Sequence, residues 1–131
     1  MLTGCKHSES NQSDLDVNYC HIIEKVINAP QLNDFYHFDL VPERTPLTIL
    51  TNLSIKSCPK IKKNGYPIKI INVKDRPYLK TGIYLELNIE NKSNSLLRVN
   101  IIYKTEGIKG YANLEYKGKN WTITDLRIIE Q

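Results

Sequence analysis

Three thiols carry most of the covalent chemistry open to this chain: Cys5, Cys20 and Cys58. No Cys-x-x-Cys pair occurs, so zinc-ribbon and thioredoxin-like sites are not expected. Cys20 and His21 are sequence neighbours, and neighbours on a helix point in different directions, so they make a poor nucleophile–base pair. His7, His21 and His37 show no ligand spacing, and neither a metal nor a cofactor is expected. No Ser–His or Asp–His arrangement and no glycine-rich phosphate loop stands in the sequence. An acid–base enzyme would need a base and an oxyanion donor converging on one cavity. The polar side chains that could line one are Tyr19, Tyr36, Tyr84, Glu86, Tyr103 and Tyr116. Tyrosines on sheet faces more often pack than react, so no catalytic residue is assigned.

The thiols differ in setting. Cys5 follows Leu2-Thr3-Gly4 and precedes Lys6 to Ser13, a run with no apolar residue. That composition cannot fold and reads as a flexible tether. Cys20 and Cys58 fall in the structured part. In an oxidising compartment they suit a disulfide, and in a reducing one they are two buried free thiols.

Charge is the second chemical signal. The net charge of +4 is mild, but it is unevenly spread. From Met1 to Glu43 the acids are Glu9, Asp14, Asp16, Glu24, Asp34, Asp39 and Glu43, against Lys6 and Lys25. From Arg44 to Lys80 the bases dominate, with Asp75 as the sole acid. Lys56, Lys60, Lys62, Lys63, Lys69 and Lys74 are therefore candidate contacts for a protein partner with an acidic surface. Lys60, Lys62 and Lys63 are expected to project from one exposed loop. The competing reading is that the acidic and basic segments neutralise each other within the fold. Nucleic acid is not expected, because no aromatic residue lies between Lys56 and Lys63 to stack on bases.

The elements that must position these residues follow from periodicity. Ser13 or Asp14 can cap a helix in which Leu15, Tyr19, Ile22, Ile23, Val26 and Ile27 share one face. It ends near Asn28-Ala29, and Pro30 opens a shorter helical turn through Leu32, Phe35 and Tyr36. "LTILTNLSI" reads as a first strand and "YPIKIINV" as a second, with Pro67 favouring an edge position. "SCPKIKKNG" suits one helical turn closed by Asn64-Gly65. Beyond it, Ile83 to Glu90, Leu97 to Lys104, Gly110 to Tyr116 and the stretch from Trp121 alternate as an antiparallel meander. Trp121 and Ile123 have one parity and Leu126 and Ile128 the other, which places a bulge at Thr124-Asp125. No apolar run approaches the ~20 residues of a membrane span.

Two resemblances follow. Leu2-Thr3-Gly4-Cys5 resembles the bacterial lipobox, in which small residues precede a cysteine that is lipidated and becomes N-terminal. The resemblance implies lipidation at Cys5, a membrane contact by lipid anchor alone, and a periplasm-facing place in the bacterial cell envelope. Only Met1 precedes Leu2 here, so an internal start Met, a trimmed signal and a chance match all remain open, and with chance comes a cytoplasmic location. The element order from Asp14 to Glu130, with the closing "GKNWTITDLRIIE", resembles the cone-like α+β fold of the nuclear-transport-factor-like and cystatin-like superfamilies. These have no shared catalytic motif, so no site residue carries over. The expected organisation is a start and tether over 1–13 and a single α+β domain over 14–131, an N-terminal helix packed on a curled antiparallel sheet. The expected function is a non-catalytic envelope lipoprotein that binds a protein partner, for example an immunity protein against a toxin delivered to the periplasm. The alternative is a small-molecule-binding domain or enzyme with a pocket in the cone of the sheet.

Overall fold

The computed structural model describes residues 19–55, 57–78 and 83–130. The lipobox-like start with Cys5, the tether, the helix caps Ser13 and Asp14, and Lys56 lie outside the described residues.

Residues 19–27 form α1. Ile22, Ile23, Val26 and Ile27 are fully buried, while His21 and Lys25 face solvent, as helical spacing requires. Ala29 sits before a proline, is held extended at ψ 134°, and so breaks the helix. Pro30 then opens α2, Pro30–Asn33, which buries Leu32. The chain next delivers Tyr36 into the core, where its hydroxyl donates to the Ile27 carbonyl at 2.7 Å. That carbonyl belongs to the last turn of α1, which has no helical partner for it.

The main sheet has six strands. They are β1 (Thr48–Thr51), β4 (Lys69–Asn72), β5 (Leu85–Ser93), β6 (Leu96–Tyr103), β7 (Ile108–Lys117) and β8 (Asn120–Glu130), in the order β4-β1-β5-β6-β7-β8. Strands β5 to β8 form the expected antiparallel meander. The sheet as a whole is mostly rather than wholly antiparallel, because β1 runs parallel to both β4 and β5. A strand between two parallel neighbours is covered on both faces, and Ile49, Leu50 and Thr51 are accordingly all buried. Side-chain amides extend the ladder past the end of β1. Asn52 both donates to and accepts from the Ile89 backbone, and Asn72 donates to the Leu53 carbonyl.

One sheet face, carrying Leu85, Leu87, Ile89, Leu97, Val99, Ile101, Ile108, Ala112 and Leu114, packs with α1, Leu32 and Tyr36 in a single core. The bulge falls where the parity of β8 changes. Asn113 pairs with Asp125 and Leu114 with Ile123, leaving Thr124 unpaired, and its hydroxyl donates to the Asn113 carbonyl. Gly110 has a different role. A Cβ there would run into the backbone carbonyl oxygen of Arg127. Backbone cannot rotate out of the way, so Gly110→Ala is expected to cost about 2–3 kcal/mol in urea unfolding. A variant unfolding at the wild-type midpoint would show that the β7–β8 pair tolerates the added carbon.

The stretch between β1 and β4 departs from expectation. Among the described residues no helical turn forms there. Lys62–Lys63 (β2) pairs with Tyr66–Pro67 (β3) as a separate hairpin. Asn64 and Gly65 both have positive φ, at 55° and 83°. Asn-Gly with two left-handed residues is a hairpin turn whose twist matches its flanking strands. The same dipeptide also suits a helix end, which is why local sequence favoured the wrong element. Pro67 therefore lies in this hairpin, and the strand that follows it, β4, occupies the sheet edge.

Candidate functional site

The hairpin and its approach, residues 57–68, form an arm on the core. Its inward residues are Cys58, Ile61 and Ile68, all buried with α1 and the sheet. Cys58 is bonded to Cys20 of α1, with Cα atoms 5.6 Å apart. The open choice between a disulfide and two free thiols is thus resolved as a disulfide in this structure. It fixes the base of the arm to the helix, while the Ile68 amide donates to the Ile61 carbonyl and closes the stem.

The lysines divide into two groups. Lys60, Lys62, Lys69 and Lys74 are exposed. None of their ammonium groups joins an ion pair or a hydrogen bond among the described residues, although the Lys74 backbone amide donates to Asn72 Oδ1. The carboxylates of Glu24, Asp34, Asp39 and Glu43 do not neutralise them. Lys63 behaves otherwise and does not project as expected. Its ammonium donates to Asn28 Oδ1 at 2.9 Å and Asn33 Oδ1 at 2.6 Å, and sits 4.9 Å from the centre of the Tyr36 ring. Burial pulls the Lys63 ammonium below the usual lysine range. Two amide oxygens and a ring face nevertheless favour the charged form, so the contact works as a clamp between the hairpin and the α1–α2 corner. Lys63 aims the arm, and Lys60 and Lys62 are what it presents.

Grooves of about 420 and 430 Å³ flank the arm. The first runs beside the disulfide, between Glu24 and Lys60, and the second between Asp39 and Asn64. Each is an open trough along the arm rather than a chamber beneath the sheet.

The tyrosines considered for a cone lining do not converge. Tyr36 and Tyr103 are buried with tilted rings 6.1 Å apart. Burial pushes both phenols above the usual tyrosine range, so neither is poised as a base. Tyr116 is half exposed against Trp121 at the far end of the sheet. The Tyr19 hydroxyl accepts from Asn91. Glu86 lies on the sheet face away from α1, yet is buried. Arg76, from the 3-10 helix Val73–Tyr78, donates to one carboxylate oxygen at 2.9 Å, and Asn88 donates to the other at 2.8 Å. Both oxygens are occupied, so this carboxylate acts as a fastening for the segment after β4.

One polar cluster had no signal in the sequence. Arg44 is 8 % exposed. It donates to the carbonyls of Phe35 and Tyr36 and, at 2.7 Å, to Glu106, whose other oxygen lies 3.2 Å from His37. Arg44 Nε and the Tyr103 hydroxyl beside it are buried and have no hydrogen-bond partner among the described residues. A His–Glu pair can serve as a general base, but here Glu106 is committed to a buried cation. The cluster ties the chain after α2 to the β6–β7 connection. Among the described residues, no group of three or more His, Cys, Asp or Glu side chains could hold a metal ion.

No family model matches this chain, and no curated protein or solved structure is significantly similar to it.

Proposed function

We propose that this chain is a non-catalytic, envelope-tethered module that binds an acidic protein partner through the basic arm. The observation that carries the reading is the set of exposed lysines, Lys60 and Lys62 on the disulfide-anchored arm, Lys69 at the start of the adjoining edge strand and Lys74 in the 3-10 helix after it, whose ammonium groups have no carboxylate partners among the described residues. Like charges held close together are unfavourable, and a partner's acidic groups relieve that cost. The arm is rigid before binding, so little ordering entropy opposes association. Packing of the inner sheet face by Ile, Leu, Val and Tyr supports a surface-binding protein over one with a chamber in the cone. Tethering through Cys5 completes the proposal, and the role we favour for the chain is that of an immunity protein, with a toxin delivered to the periplasm as its acidic partner. We further read α1 on the bulged meander as the cone-like arrangement of nuclear-transport-factor-like or cystatin-like domains, with the parallel β1 as a departure from it.

The experiment is affinity capture with the wild-type chain and with a Lys60→Glu/Lys62→Glu/Lys69→Glu variant, followed by kinetics on the protein retained. The expected partner is acidic, and its association rate falls about tenfold or more in the variant and falls with added salt, while dissociation changes less. The melting temperature is expected to be unchanged. A partner that binds both proteins at the same rate overturns the assignment of the arm. For the tether, cells expressing the gene with its natural upstream codons are fractionated and the mass at Cys5 is measured. An unmodified Cys5 in a soluble protein overturns that part alone.

A further inference from the structure

The two edges of the main sheet differ. The β4 edge is four residues long, begins with Lys69 and follows Pro67 closely. Short length, lysine and proline are the devices that stop one sheet edge from pairing with another. The β8 edge is eleven residues long and contains neither lysine nor proline. Among the described residues, no backbone group of β8 makes a hydrogen bond beyond its ladder with β7. After the bulge the strand is regular, with Asp125 to Glu130 in unbroken register with Asn113 to Ile108. A groove of about 590 Å³ runs along its inner side, between Leu126 and the α2 residues Pro30 and Gln31.

We propose that β8 is a homodimer interface, pairing antiparallel with β8 of a second copy about a two-fold axis at Leu126. The charge pattern selects both the occupant and the register. Asp125 and Arg127 lie on the same outward face, two residues apart and in contact at 3.7 Å. A two-fold at Leu126 sets each Asp125 opposite the Arg127 of the second copy, so one short sequence supplies two complementary cross-strand pairs. Shifting the axis to Asp125 or to Arg127 sets like charges opposite each other, which is unfavourable. The Leu126 side chains meet on the groove side, and Thr124 lies opposite Ile128. The sheet then continues from one protomer into its partner, and the long edge of each is covered. Lys69 of β4 lies at the opposite edge of the sheet, so dimer formation and capture of an acidic partner do not compete.

The test is analytical ultracentrifugation of the full chain over a wide concentration range, with three variants. Wild type is expected to be a dimer at high concentration and to dissociate on dilution. Asp125→Arg places Arg opposite Arg, and Arg127→Asp places Asp opposite Asp. Each is expected to weaken the dimer about a hundredfold. Asp125→Arg/Arg127→Asp restores opposite charges and is expected to restore the dimer. A wild type that stays monomeric, a dimer that survives either single change, or a folded double variant that stays monomeric overturns the proposal. Hydrogen exchange on the unaltered chain gives a second reading. Amides within 124–128 are expected to slow as concentration rises, and rates independent of concentration overturn it.

Discussion

Replacing Cys20 and Cys58 together by alanine is expected to lower the unfolding free energy by about 4 kcal/mol. The bond spans 38 residues, and in the chain-entropy account the stabilisation grows with the length of the loop that the bond closes in the unfolded chain. Here that loop contains most of α1, α2, the buried Arg44 and all of β1, so cutting it frees much of the N-terminal half in the denatured state. Cys58 is also 2 % exposed and packed in the core, and truncation to alanine removes contacts as well. For a chain of this size the expected drop in melting temperature is about 15 °C. The native arm keeps its other anchors, Ile61, Ile68 and the Lys63 clamp, so its geometry is expected to persist below the transition. Chemical denaturation of the reduced wild type, which keeps the Cys58 contacts, should show a loss somewhat smaller than that of the double variant. A loss under about 1 kcal/mol in both would mean that the unfolded chain is already compact around this loop.

The second large effect is expected at Glu106. Glu106→Ala removes the carboxylate that faces Arg44, whose guanidinium is 8 % exposed. A buried charge stripped of its partner is strongly destabilising, and with Glu106 partly solvated the low end of the range applies, about 3 kcal/mol. Arg44→Met alone also destabilises, because the carbonyls of Phe35 and Tyr36 each lose a donor. The combined change removes both charges together. The two single losses are expected to exceed the double loss by at least about 1 kcal/mol, read from a double-mutant cycle in urea. Strict additivity would show that Glu106 is dispensable to Arg44 and that the backbone carbonyls hold the guanidinium unaided.

Much of the framework was legible in the residues alone. Helical spacing of Ile22, Ile23, Val26 and Ile27 set the buried face of α1, because only that period puts all of them on one side. Pro30 marked the start of α2, because proline's fixed φ and missing N–H suit a first turn. Alternation in Leu85 to Ile89, Leu97 to Tyr103 and Gly110 to Leu114 set the inner sheet face, and the parity change in β8 located the bulge at Thr124-Asp125, where Thr124 is the unpaired residue. These are local consequences of backbone geometry, with periods of 3.6 and 2 residues.

The rest was decided by tertiary structure. Period-2 alternation is the same in parallel and antiparallel strands, so the direction of β1 relative to β4 and β5 could not be read from "LTIL". Asn64-Gly65 satisfies a helix end and a hairpin turn alike, and the pairing of Lys62–Lys63 with Tyr66–Pro67 chose between them. Lys63 looked like its neighbours in a basic run. Only the fold placed Asn28, Asn33 and the Tyr36 ring around its ammonium and turned it from surface to clamp. Arg44, Glu106 and His37 show no spacing that announces a cluster, because 62 residues separate the arginine from its carboxylate. Sequence by itself set the period, the breaks and the charge of each segment, since these depend on neighbours along the chain. Which charges are buried, which are paired and which remain free depends on neighbours in space, and those exist only once the sheet has closed against α1.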